Sequence, residues 1–342
     1  LDGLIGNQQA KDRLRRMLAT GRLPGTLLFA GPDGVGKKLF ALELARALNC
    51  HAPRDGFGCG VCAVCRRIGK FVWPAGDDKD AHEQIIWSEH ADVGLLMPYK
   101  RFLLAKATRD LDREAQFRPY EGAARVFIIE DAEKLNETAA NSLLKTLEEP
   151  PATTHIILLT SRPSGLLPTI RSRCQMMRFV PLTIDEIERF LLRKGHAPAD
   201  AALLSRLAAG SLGRALTLSA DECREQRGFM LEVLQAFAVG NDRVRLLRAG
   251  EELNEAKRKD AYESHLEMLT ILARDVWLLS SGASETAVVN SDLLRQLQPI
   301  SARVAGQRAA GWLRAIDEHR QRLDVNINRK VALDALFLQL AR

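Results

Sequence analysis

Short apolar runs alternate with helical spacing through the first half of the chain. "TLLFAG" begins at Thr26, "RVFIIED" at Arg125, "HIILLTS" at His155 and "MMRFV" at Met176. Each is short, apolar and bounded by glycine, charge or proline, the mark of a buried strand. Between them apolar residues recur every three or four positions. Residues 7–20 place Ala10, Leu14, Met17 and Leu18 at helical spacing, and "KKLFALELARALNC" places Leu39, Leu42 and Ala45 or Arg46 on successive turns. "NETAANSLLKTLEEPP" sets Ala140, Leu143, Leu144 and Leu147 on one face, with Asn136 as N-cap and Pro150–Pro151 as the stop. Strands alternating with helices predict an α/β fold with a parallel sheet covered on both faces.

After Pro181 the pattern changes. "TIDEIERFLLRKG" and "PADAALLSRLAAGSLGRAL" predict two or three short helices, and from about Ser219 the reading is almost wholly helical. Residues 66–120 are the least legible, and "PAGDDKDAHE" reads as a loop. A chain of 342 residues is long for one core, so two or three domains are expected.

Composition changes this picture little. The net charge of +6 permits contact with nucleic acid without arguing for it. No apolar run reaches the roughly 18 residues of a membrane helix. No leader is visible, though the chain begins at Leu1 rather than Met, so its native start is expected upstream.

The chemistry concentrates in two motifs. "GPDGVGKKLF" lies between a predicted strand and a predicted helix and nearly matches a phosphate-binding loop, with Gly31, Gly34, Gly36 and Lys37 in the cradle. The next position should carry a hydroxyl for Mg²⁺ and is Lys38, which has donors and no acceptor. The strand that should end Asp-Glu, for metal and attacking water, ends Glu130-Asp131. Each carboxylate is displaced by one methylene, and a shift of about 1 Å can lower a rate on the order of 10²-fold. The two departures read as independent, and both fall on metal and water rather than on the cradle. Phosphate-loop ancestry without productive ATP/Mg²⁺ chemistry is expected.

The second motif is Cys50, Cys59, Cys62 and Cys65 in one short loop. Four thiolates suit a closed tetrahedral zinc site, which leaves no position for substrate. Buried reduced thiols are the plain alternative, disfavoured by the polar, turn-forming "HAPRDGFG", and a redox pair is a poorer one. His51 adjoins Cys50 and would need a strained chelate.

"GPDGVGKKLFALELARALNC", the cysteine insert, "RVFIIEDAEKLNETAANSLLKTLEEPP", "LLPTIRSRC" and "GSLGRAL" occur in this order in bacterial clamp-loader subunits, which the chain resembles. "NINRKVALDALFLQL" is similar to the last helix of their collar domain. The resemblance covers most of the chain and is weakest over 66–120. It implies an AAA+ module over 1–181 with a zinc insert at 50–65, a helical lid over 182–218 and an all-α collar over 219–342. Within the family, Lys38 and the Glu-Asp order match the delta-prime branch of DNA polymerase III rather than the tau/gamma branch, whose phosphate loop is intact. The chain also ends soon after the collar-like helix.

The resemblance implies a role in trans for Ser172-Arg173-Cys174: Arg173 would enter a neighbouring subunit's ATP site, where a permanently charged fork matches phosphate oxygens. Arg214 sits where the family's second sensor reaches the chain's own nucleotide. The implied partners are tau/gamma and delta subunits in a hetero-oligomeric ring, with the sliding clamp and primed DNA reached through that ring. The implied setting is cytoplasmic, with no membrane and no independent polymerase activity. An active tau/gamma-type ATPase is the near alternative, and a zinc-containing DNA-binding protein is the alternative of another class.

Overall fold

In the computed structural model, residues 4–75, 78–254, 262–322 and 328–341 are described. Their contacts divide the chain into two compact units. One takes the residues up to 201 together with 208–217, and the other takes 202–207 and those from 218 onward.

The first unit is built on a sheet of six strands: β1 (Thr26–Ala30), β2 (Ile86–Trp87), β3 (Val93–Leu96), β4 (Arg125–Ile129), β5 (Thr154–Thr160) and β6 (Gln175–Arg178). Their order is β2-β3-β4-β5-β1-β6. All neighbours are parallel except the edge pair β2–β3. The four runs legible in the sequence are β1, β4, β5 and β6. Strands β2 and β3 come from the illegible stretch.

Strand residues alternate between faces, as the pleat requires. Leu27, Phe29, Val126 and Ile128 pack with Ala10, Leu14, Phe40, Ala41 and Leu44, from the helices Gln8–Ala19 and Lys37–Asn49. Leu28, Phe127, Ile129 and Leu158 pack on the opposite face with Leu111, Ala140 and Leu143, from the helices Ala105–Ala115 and Glu137–Glu148. Asn136 caps the second of these by accepting from Ala139 N. Burial on both faces explains why β1, β4 and β5 read as apolar runs, while the edge strand β6 is exposed at Gln175 and Arg178.

Three expectations change in detail. Leu39 is 44% exposed, whereas Leu42 and Ala45 are buried as expected, together with Phe40, Ala41 and Leu44. A helix that begins in a phosphate loop has its first turn facing a cavity, so the first apolar position belongs to that cavity. "PAGDDKDAHE" holds a short helix, Lys79–His82, capped by Asp78; Gly76 and Asp77 lie outside the described residues. The collar-like segment forms the helix Arg329–Leu340, capped by Asn328, while Asn326 and Ile327 lie outside the described residues.

The sheet is followed by helices Ile184–Arg193, Pro198–Leu207 and Leu212–Thr217. Thr183 and Glu186 close a reciprocal capping box on the first. The second unit is helical throughout its described residues, with the long helices Ala220–Gln235, Tyr262–Ser280, Gly306–Arg322 and Arg329–Leu340. Phe237 meets Trp312 edge-on at 4.9 Å, and the Trp312 indole donates to Leu340 O.

Candidate nucleotide site and metal centre

The phosphate loop leaves β1 at its carboxyl end and enters the helix Lys37–Asn49. Gly34 and Gly36 have φ of 72° and 99°, a region that favours glycine. Gly34 also needs to be bare. A Cβ there would lie 2.0 Å from Ser211 Oγ, and Gly213 N donates to Gly34 O at 3.0 Å. The "GSLG" turn is thus bonded directly to the loop. Lys37 is buried and donates to Gly31 O at 2.5 Å and Pro32 O at 2.7 Å, with Asp33 Oδ1 at 3.6 Å. Burial pushes its ammonium below the usual lysine range, against the pull of Asp33.

A cavity of about 320 Å³ opens here, lined among others by Gly34, Gly36, Lys37, Lys38, Glu130 and Asp131. The structure therefore brings together most of the residues singled out for this site. Gly31 lies at the loop's root, packed so closely on Phe179 that a Cβ would meet Phe179 O at 2.3 Å. Arg214 is not among the lining residues; Leu212, Gly213 and Leu216 of the same turn are.

The two departures from the motif turn out not to be independent. Lys38 Nζ lies 2.6 Å from Glu130 Oε1. That oxygen is buried and has no aligned hydrogen-bond donor, so the contact is an ion pair rather than a directed bond. The indole of Trp73 covers the same ammonium, 4.1 Å from ring centroid to Nζ. Asp131, at φ 46°, turns aside to Lys134 at 2.8 Å. Trp73 was not legible as a site residue: it comes from the unreadable stretch, and no local pattern marks it.

The four cysteines lie at the other end of the same helix. Their sulfurs are all within 4.8 Å of one another. Cys50 and Cys62 are 3.9 Å apart, and Cys59 and Cys65 4.0 Å. A tetrahedron with Zn–S bonds of about 2.3 Å has edges of roughly 3.8 Å, so the set fits zinc. Backbone N–H groups of Cys59, Cys62 and Cys65 point at the sulfurs of Cys50, Cys59 and Cys62. Such donors pull Cys59 down to about 6, while burial pushes Cys65 up to about 12. A cation among them would hold all four as thiolates. His51 is exposed and outside the group. Two unforeseen residues brace the loop: Glu43 accepts from Gly58 N, and Arg46 donates to Cys65 O.

Ser172, Arg173 and Cys174 follow the short helix Pro168–Arg171 and precede β6. Arg173 is partly exposed, with Nε 2.9 Å from Glu148 Oε2 and a second bond to Thr169 O. Ser172 donates to Thr169 O. Cys174 is half-buried against the core, and burial raises its thiol to about 12. No helix of the described residues is long and apolar enough to cross a membrane.

A mostly parallel sheet with a phosphate loop at the carboxyl end of β1, carboxylates at the end of β4 and a four-cysteine insert defines the class: a P-loop-type α/β module in which Lys38 pairs with Glu130. The model of the family "DNA polymerase III, delta subunit" matches residues 6–183, and the chain belongs to that family. It is 28% identical to the delta-prime subunit of DNA polymerase III from Bacillus subtilis, over 93% of this chain and 91% of that protein. It is 29% identical to the Escherichia coli delta-prime subunit over 96% and 92%. It is also 34% identical to the tau subunit from Salmonella typhimurium, over 63% of this chain but 32% of that longer protein.

Proposed function

We propose that this chain is the delta-prime-type subunit of a clamp loader, supplying structure and one arginine to a ring whose ATP is hydrolysed elsewhere. The observation that carries the reading is the ion pair of Lys38 with Glu130, where a hydrolysing relative needs a hydroxyl and a free carboxylate. The end-to-end similarity to delta-prime subunits supports it, as does the partial match to tau. In this reading the AAA+ module, lid and collar take 1–181, 182–218 and 219–342. One structural Zn²⁺ is held by Cys50, Cys59, Cys62 and Cys65. The partners are tau/gamma-type and delta-type subunits, and through them a sliding clamp on primed DNA in the cytoplasm.

Arg173 is the residue assigned to the neighbour's ATP site. Its contact with Glu148 is a surface ion pair, worth about 0–1 kcal/mol, so it costs little to exchange for phosphate. Such a finger contributes on the order of 10³–10⁵ in rate in other phosphoryl-transfer systems. The test is steady-state ATP hydrolysis by the reconstituted complex. Arg173→Ala should leave assembly intact by gel filtration and sharply lower hydrolysis at the site it serves. Arg173→Lys should restore little, because an ammonium lacks the fork. Normal assembly with unchanged hydrolysis would remove Arg173 from this role.

A further inference from the structure

The pairing of Lys38 with Glu130 goes further than the loss of a metal ligand. Replacing the expected hydroxyl by any inert side chain would leave the strand-end carboxylate available to a divalent cation. Here the replacement is itself a cation, on a stem long enough to reach that carboxylate at 2.6 Å. A third group, Trp73, lies over the ammonium at 4.1 Å. The indole is placed by a short run that leaves the cysteine insert: Lys70 O accepts from Glu89 N, Phe71 bridges to Ser88, and the Phe71 and Trp73 rings meet at 5.1 Å. Asp131, the second carboxylate, is held by Lys134. The cradle around Lys37 stays open, with its cavity of about 320 Å³.

We propose that Lys38 is a tethered cation that occupies the divalent-metal position, bound to Glu130 and covered by Trp73, so that this site is selective against metal-bound nucleotides. The proposal deepens the reading of the site as non-hydrolysing and does not depend on Arg173. Its physical basis is charge. A divalent ion beside Glu130 would meet the Lys38 ammonium within a few ångströms, in a pocket partly shielded from water, and would have to displace it. The ion pair answers the carboxylate's need for a counter-charge, and the indole face lowers the ammonium's gain from moving out to solvent. Removing the ammonium frees Glu130 and should create metal dependence where there was none.

The experiment uses the purified full chain and ADP as the probe, titrated by calorimetry in excess Mg²⁺ and again in EDTA. For the wild type, Mg²⁺ should not strengthen ADP binding, whether that binding is weak or absent. Lys38→Thr restores a hydroxyl and releases Glu130, and Mg²⁺ should then tighten ADP by about tenfold or more, within the usual range of coupling between two ligands. Lys38→Ser is the second variant, and near-UV circular dichroism confirms that each variant is folded. Trp73→Ala keeps the ion pair but removes its cover, and its response to Mg²⁺ should fall between those of the wild type and the Lys38 variants. The emission of Trp73 should respond to Mg²⁺ plus ADP in the Lys38 variants alone. Wild-type binding tightened by Mg²⁺ to the same degree as in Lys38→Thr would overturn the proposal. So would two folded Lys38 variants that ignore Mg²⁺, or a Trp73→Ala protein that responds to it more strongly than they do. None of these results bears on the Arg173 test, which is read in the assembled complex.

Discussion

The helix Lys37–Asn49 carries a site at each end, and the two have fared differently. At its C-terminal end Cys50 begins a complete set: four sulfurs within 4.8 Å, three backbone donors aimed at them, and Glu43 and Arg46 bracing the loop. At its N-terminal end the cradle persists, but Lys38 and Glu130 are held against each other where the motif would place a hydroxyl and a free carboxylate. A structural site works only when every ligand is present, because its binding energy is folding energy. A catalytic site contributes little to folding, so it tolerates replacement, provided the buried charges left behind find partners. The Lys38–Glu130 pair meets that condition.

The most forceful way to break the contrast is to damage the complete end. Cys59→Ser, or chelation of the metal, should remove one zinc per chain and cost several kcal/mol of local stability, since structural zinc contributes roughly 10–16 kcal/mol in small domains that fold only with metal. Residues 50–65 should become protease-sensitive while Lys37 and its loop stay in place. Metal content near zero in the reduced wild-type protein would end the zinc reading.

A smaller effect is expected at the altered end. Gly34→Ala places a Cβ against Ser211 Oγ at a backbone φ of 72°. It should cost about 1–3 kcal/mol, read as a lower melting temperature, because both crowding and backbone strain oppose it. If Ala is accepted without loss, the turn at 211–213 is not bonded to the loop as described, and the altered end is looser than the contrast requires.

The smallest effect separates the sheet that carries the loop from the insert beside it. His155 in β5 is buried, and burial holds its imidazole below the usual histidine range, partly offset by its contact with Pro24 O. The unfolded chain therefore takes up a proton first. Stability from this group is full above the ordinary value of about 6.5 and falls as pH drops toward the lower folded value. The slope cannot exceed about 1.4 kcal/mol per pH unit for one proton. Melting temperatures between pH 7.5 and 5.5 should show the decline, and His155→Gln should flatten it. The same slope in both proteins would place the acid sensitivity elsewhere, with Cys59, held low by backbone N–H donors, and His90 and His319, held low by burial, among the other groups.

Much of the architecture was legible because local rules were strong. Strands β1, β4 and β5 are built on buried apolar runs, β6 is marked by its paired methionines, and Asn136 and Pro150 bracket a helix that the structure ends at Glu148. The remaining two strands were not, because β2 has two residues and β3 contains Gly94, too little pattern to set a period. The cysteine spacing marked four residues whose sulfurs the fold brings within 4.8 Å of one another. At the phosphate loop the residue types gave the right chemistry but the wrong relation: Lys38 and Glu130 seemed separate faults. Trp73 carried no signal at all.

What the sequence by itself determined is therefore what side chains can and cannot donate. An ammonium has no lone pair for Mg²⁺, four thiolates in one loop favour zinc, and neither fact depends on where the residues end up. What only the tertiary structure decided is which of them meet. Lys38 and Glu130 belong to different elements, brought together because the phosphate loop and the end of β4 open on the same edge of a parallel sheet. Trp73 joins them only because the chain folds back after the cysteine insert. The energy of such a cluster depends on distances across the fold, and a linear pattern holds no record of those.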